Sequence, residues 1–178
     1  MNERARRSWC VVAALVAAPT GCGLTHPQDL SFRVDKRLHF TAPKDRAKLQ
    51  QPVTVSWTMR DFVIAGAGSA PVQRGTGYFA VFLDRTPIKP GQSIRAVANG
   101  DQTCVRDPRC PDESYLSKRG VITTTATTVA LPRLANISGS KESVQTHRIT
   151  VVLLDTSGHR IGESAWELDV RLPRTAFG

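Results

Sequence analysis

Alternation of apolar and polar side chains constrains this chain more than any other feature. In Val53-Thr54-Val55-Ser56-Trp57-Thr58-Met59, the residues Val53, Val55, Trp57 and Met59 share one side, and Thr54, Ser56 and Thr58 share the other. Successive side chains of a strand point to opposite faces, so a period of two predicts a half-buried β-strand. Trp166, Leu168, Val170 and Leu172 alternate with Glu167, Asp169 and Arg171 in the same way. Tyr78 to Leu83 is apolar on both faces, as expected of a central strand. Arg148 to Leu154 is the strongest apolar strand, and Val121 to Leu131 is rich in the Thr and Val that favour extended chain. Ile94 to Val97 reads as a further short strand between turns. Nothing after Cys22 keeps a helical period for three turns. The best short helix is Asp112 to Arg119, with Asp112 as its cap and Tyr115 and Leu116 able to dock. The expected fold is all-β, with seven or eight short antiparallel strands in a two-sheet sandwich.

The N-terminus reads differently. Arg4, Arg6 and Arg7 precede an uncharged apolar run from Trp9 to Ala18. Ten helical residues span about 15 Å, half of a hydrocarbon core of about 30 Å. The run is therefore too short to cross a membrane, and the order of positive head, apolar core and small residues predicts an export signal over residues 1–21.

That signal ends in Pro19-Thr20-Gly21-Cys22, which resembles the lipobox of bacterial lipoproteins. Thr20 and Gly21 fit the pattern, and Pro19 stands where the family usually has Leu or another aliphatic residue. The resemblance implies that Cys22 receives a diacylglyceryl group and becomes the first residue after cleavage. The competing reading is ordinary cleavage that leaves Cys22 a thiol. The nearest such site, Val16-Ala17-Ala18, would put Pro19 beside the cut. Several acyl chains give stable anchoring, whereas one binds marginally.

The formal net charge is +9, and residues 1–21 carry three arginines and one glutamate, so +7 remains without them. Arg33, Lys36, Arg37, Lys44, Arg46 and Lys48 form the densest basic part, interrupted by Asp35 and Asp45. Two readings compete: a solvated surface near the tether, and contact with anionic lipid headgroups. An acidic glycan would suit the same charge. Neither a zinc-knuckle spacing nor an RNA-binding aromatic motif is visible, and an exported chain seldom meets nucleic acid. The expected partners are the membrane through its lipid anchor, anionic lipid or glycan, and an envelope protein; nucleic acid is not expected.

Export also bears on Thr103-Cys104-Val105-Arg106-Asp107-Pro108-Arg109-Cys110. Disulfides persist in oxidising compartments. Cys104 and Cys110 would close a seven-residue loop worth about 2 kcal/mol in the chain-entropy model. A metal knuckle wants C-x₂₋₄-C and further ligands, and a redox pair wants C-x-x-C. The spacing favours the structural staple over both. Cys10 leaves with the signal and an acylated Cys22 cannot pair, so the count closes.

Catalytic motifs are approached in the chain but not completed. Leu153-Leu154-Asp155-Thr156-Ser157-Gly158 approaches the Asp-Thr-Gly of aspartic proteases, but Ser157 interrupts it and a second such Asp is missing. A hairpin turn explains Asp155 and Gly158. Gly66-Ala67-Gly68-Ser69-Ala70 is no nucleophile elbow. His147 and His159 read as surface residues. The chain is expected not to be an enzyme and to need no cofactor or metal.

The stretches "FTAPKDRAKLQQPVTVSWTM", "GYFAVFLDRTPIKPGQ", "TTVALPRL" and "HRITVVLLDTSGHRIGESAWELDV" resemble successive strands of bacterial immunoglobulin-like or fibronectin-III-like domains. The intersheet disulfide of antibody domains is absent. The resemblance implies a tether over residues 22–36 and an immunoglobulin-like sandwich over residues 37–174. The function expected is a lipid-anchored envelope protein, held on the extracytoplasmic face of the cell membrane, with a binding or structural role; the secreted form is the alternative location. The alternative function is an envelope protein that binds a small ligand or metal in a concave pocket. Loops on a rigid scaffold carry function, so the Ala65–Gly77 loop and the Asn99–Gly120 excursion are the expected contact regions. Arg106, Asp107, Arg109, Tyr115 and Arg119 are the candidate contact residues.

Overall fold

The computed structural model describes residues 35–174. The predicted signal, Cys22 and all of the tether but Asp35 and Lys36 lie outside the described residues. The strands are β1 (Leu38–Ala42), β2 (Ala47–Lys48), β3 (Thr54–Met59), β4 (Val63–Ile64), β5 (Thr76–Leu83), β6 (Val121–Thr124), β7 (Thr128–Ala130), β8 (Val144–Leu154) and β9 (Trp166–Pro173). A 3-10 helix (Ile94–Ala98) and two short helices, α1 (Gln102–Arg106) and α2 (Glu113–Lys118), lie between β5 and β6.

Two mostly antiparallel sheets result. One has the order β1-β3-β7; the larger runs β2-β9-β8-β5-β4, with β6 also paired to β5. The expectation of antiparallel pairing throughout is corrected at two edges, where β2 runs parallel to β9 and β4 parallel to β5. The connection from β4 to β5 explains the second case. It is long enough for the chain to turn back and re-enter in the same direction, which a two-residue hairpin cannot do.

The alternation seen in the sequence decides what faces the core. Val53, Val55 and Trp57 on one sheet meet Phe79, Val81, Ile149, Val151, Leu168 and Val170 on the other, all buried in one cluster. Trp57 sits edge-on to Phe79, with ring centroids 5.3 Å apart. The opposite side of the large sheet is buried too. Tyr78, Ala80 and Phe82 of β5 and Val152 and Leu154 of β8 form a second cluster with Ile88, Val97, Leu116 and Val121. The segment between β5 and β6 supplies that cover, which is why β5 is apolar on both faces.

Ile94 to Val97 is therefore a 3-10 helix and not the expected strand. Ser93 caps it by accepting from the Arg95 N–H at 3.3 Å, and its apolar side chains pack down on the sheet instead of pairing with it.

Registers place the ends of the strands. Leu38 pairs with Met59, Tyr78 with Leu154, and Val151 with Trp166. The starts of β1, β5 and β9 therefore gather with the ends of β3 and β8. Asp35 joins the two sheets there: its carbonyl accepts from Trp166 Nε1 at 2.7 Å, and its carboxylate accepts from Ser164 Oγ at 2.6 Å.

Candidate functional site

The excursion from β5 to β6 holds all five candidate contact residues, and local sequence builds it. Asp101 caps α1 by accepting from Thr103 N at 3.1 Å and Cys104 N at 3.2 Å. Asp112 caps α2, as expected, by accepting from Tyr115 N at 2.7 Å. Leu116 is buried against the sheet, so α2 is docked. Between the helices, Cys104 and Cys110 are joined by a disulfide with Cα atoms 5.1 Å apart, inside the usual span for such a bond. The turn within it is closed by Cys110 N donating to Asp107 O at 3.0 Å. Arg95 reaches over from the 3-10 helix and donates to Pro108 O at 2.9 Å.

The five candidates fall into two groups. Arg106, Asp107 and Arg109 lie on the stapled loop. Arg109 is 91% exposed, and its Nε stands 3.6 Å from Asp107 Oδ1, a loose surface pair worth little. Tyr115 and Arg119 lie on and just after α2, and both fasten to Asp101. The Tyr115 hydroxyl and Arg119 Nη2 each donate to Asp101 Oδ2 at 2.9 Å. The Arg119 guanidinium lies 3.7 Å from the centroid of the Tyr115 ring, a cation–π contact. The Cys104 N–H and the Tyr115 hydroxyl hold the Asp101 carboxyl below its ordinary range. Burial, then the bond to Asp101, raises the Tyr115 hydroxyl.

Tyr115 and Arg119 thus hold the helices together, and the groups left facing solvent are the guanidiniums of Arg106 and Arg109. Two such donors on a stapled loop can bind carboxylate or phosphate oxygens. Sequence reasoning missed Asp101 and Arg95. Asp101 was hidden in an Asn-Gly-Asp turn, and its partners come 14 and 18 residues later. The cap spacing from Asp101 to Cys104 was its one local signal.

A second cluster corrects the reading of His147 as a surface residue. His147 is 3% exposed, and its Nδ1 lies 2.7 Å from Asp84 Oδ2. Asp84 Oδ1 accepts from Arg148 N at 2.8 Å, and Arg148 Nε donates to Asp169 Oδ1 at 3.0 Å. The physical reason is register. Odd positions of β8 face the core, and His147 stands in line with Ile149 and Val151. Among the described residues no hydroxyl or thiol hydrogen-bonds its ring. On the outer face, a groove of about 580 Å³ runs between Arg85, Arg148, Thr150, Glu167 and Asp169.

His159 is exposed, as expected. Its Nδ1 is 2.9 Å from Ser157 Oγ, which also lies 2.7 Å from Asp155 Oδ1. A catalytic triad would put the carboxylate on the other ring nitrogen. Here the Asp155 carboxylate caps the turn, accepting from the N–H groups of Ser157 and His159. Among the described residues no three His, Cys, Asp or Glu side chains group as metal ligands, and no helix is long and apolar enough to cross a membrane.

The fold and site together define a mostly-β domain of two facing sheets with a disulfide-stapled helical cover. No family model, curated protein or solved structure matches the chain.

Proposed function

We propose that the chain is a cell-envelope lipoprotein, held on the extracytoplasmic face of the membrane by an acylated Cys22, with a binding or structural role and no catalysis. Residues 37–174 form an immunoglobulin-like sandwich in this reading. The observation that carries it is the disposition of the four cysteines. Cys10 lies in the expected leader of residues 1–21, Cys22 directly follows it, and Cys104 and Cys110 are bonded to each other within the domain. A bonded pair suits an oxidising compartment, and the leader accounts for how the chain reaches one. The two facing sheets with Trp57 between them support the sandwich, while the helical cover and the parallel edges are additions to the immunoglobulin pattern. Arg106 and Arg109, presented on the staple, are the contacts expected to meet an anionic partner in the envelope.

Detergent partitioning of the parent chain and of Cys22→Ala tests the anchor. The parent is expected in the detergent phase at a mass increased by acyl chains, and Cys22→Ala in the aqueous phase. Equal partitioning of the two would refute the reading.

A further inference from the structure

We propose that β4 and the loop that follows it to Val72 form a bilayer-contacting surface, which seats its aliphatic side chains at the headgroup–acyl boundary of an anionic membrane. The proposal rests on the lipoprotein reading above and adds the face of the domain that meets the lipid.

Composition marks the loop first. Residues 62–73 carry no charge; Arg60-Asp61 precedes them and Arg74 follows. Of the five large apolar side chains exposed among the described residues, three lie here: Val63 at 64%, Ile64 at 41% and Val72 at 59% exposure. Water gives no reason for that concentration, whereas an apolar tip with basic flanks suits a headgroup boundary.

Backbone bonding points the same way. Polar main-chain groups entering an apolar medium need internal partners. Val63 N donates to Gly75 O at 2.8 Å, Ala65 N to Gly77 O at 2.7 Å, and Gly68 N to Thr156 O at 2.7 Å. Ser69 Oγ donates to Gly66 O at 2.7 Å. Phe62 roots the base of the loop in the core, its ring centroid 6.2 Å from that of Phe79. Val63 and Ile64 are thus displayed on a frame bonded to β5.

Placement identifies the occupant. Arg60 N donates to Arg37 O at 3.0 Å, so the loop begins beside the point where the chain enters the domain. The twelve residues from Gly23 to Val34 separate Cys22 from Asp35 and reach at most about 40 Å. Lys36, Arg60 and Arg74 are exposed at this end and match anionic headgroups. Asp61 opposes them. Three aliphatic side chains among Gly, Ala and Ser make a poor protein interface, which wants about 800 Å² per partner and aromatic or Arg anchors.

The test uses the full chain carrying Val72→Trp, in vesicles of phosphatidylethanolamine and phosphatidylglycerol, with emission taken as the difference from the parent chain. Lipid brominated in its acyl chains is expected to quench the added emission by about half or more, with a blue shift, as for a side chain seated 5–10 Å into the boundary. Adding Ile64→Asp and Val63→Asp to the same chain should abolish the quenching while near-UV circular dichroism stays unchanged. Absence of quenching in a chain whose intact mass shows acylation would overturn the proposal and leave the anchor standing. If the mass shows no acylation, the anchor reading fails, and quenching on addition of the same vesicles then decides the loop by itself. A photo-crosslinker at Val63 that captures protein and no lipid in intact envelope would also overturn it.

Discussion

At the scale of single residues, Asp35 does more than its place in an expected tether implied. Arg37 donates to its carboxylate from Nη2 at 2.7 Å and from Nε at 3.1 Å, and Ser164 adds a third side-chain bond. The Arg37 bonds, against the opposing effect of burial, hold the Asp35 carboxyl down to about 2 from an ordinary 3.8. A folded value below the unfolded one means that the unfolded chain binds the proton more readily. The stabilisation is therefore complete above about pH 4 and is lost as pH falls towards 2. Because Arg37 is a third exposed, solvent screening brings its size to about 1 kcal/mol. Urea midpoints of the parent and Asp35→Asn measure this. The gap between them is expected at pH 6 and should close by pH 2; a gap that stays constant would show that Asp35 is not held in its charged form.

At the scale of elements, β5 depends on a glycine where it comes closest to β8. A Cβ added to Gly77 would lie 1.9 Å from Leu154 O, with Leu154 C at 2.8 Å and Asp155 Cα at 2.9 Å. All three are main chain and cannot rotate away. Gly77→Ala must push the start of β5 off β8, which we expect to cost about 3 kcal/mol or more. A fall in Tm of roughly 10 °C would report it, and an unchanged Tm would contradict the close approach. Elements with a strict alternation were legible in the sequence. β3 and β9 turned out with the predicted faces buried, and β5 with both. The helical cover was less legible. Ile94 and Val97 are apolar and local preference does not separate a short strand from a 3-10 turn; the choice is made by the sheet face they cover. α2 was readable because its cap and its docking residues sit within one turn.

At the scale of the whole molecule, the sheets and cover form three layers around β5 and the second half of β8, which are buried on both faces. Their amides are expected to exchange with solvent most slowly, at rates set by global unfolding. Amides of β1, β2 and β4, at sheet edges, should exchange faster. Hydrogen exchange read by NMR checks the order, and fast exchange at Val81 or Val151 would contradict it. The candidate site was legible only in part at this scale. The places of Tyr115 and Arg119, on and just after α2, were legible because the helix was, but their bonds to Asp101 were not. Asp101, Arg95 and the buried His147–Asp84 pair were not legible either, because each depends on partners brought near by the tertiary fold. His147 shows the reason plainly: a polar residue in line with core positions reads as surface until its carboxylate, 63 residues away, is known.

The bonds of Asp35 have a mechanical consequence. Traction applied at Asp35 meets Trp166, Ser164 and Arg37 before it reaches the first pair of β1, Leu38 with Met59. Load is thereby shared between the two sheets at once, and β1 is spared from being unzipped one residue at a time, much as a clamp on a cable keeps a tug from reaching the solder joint.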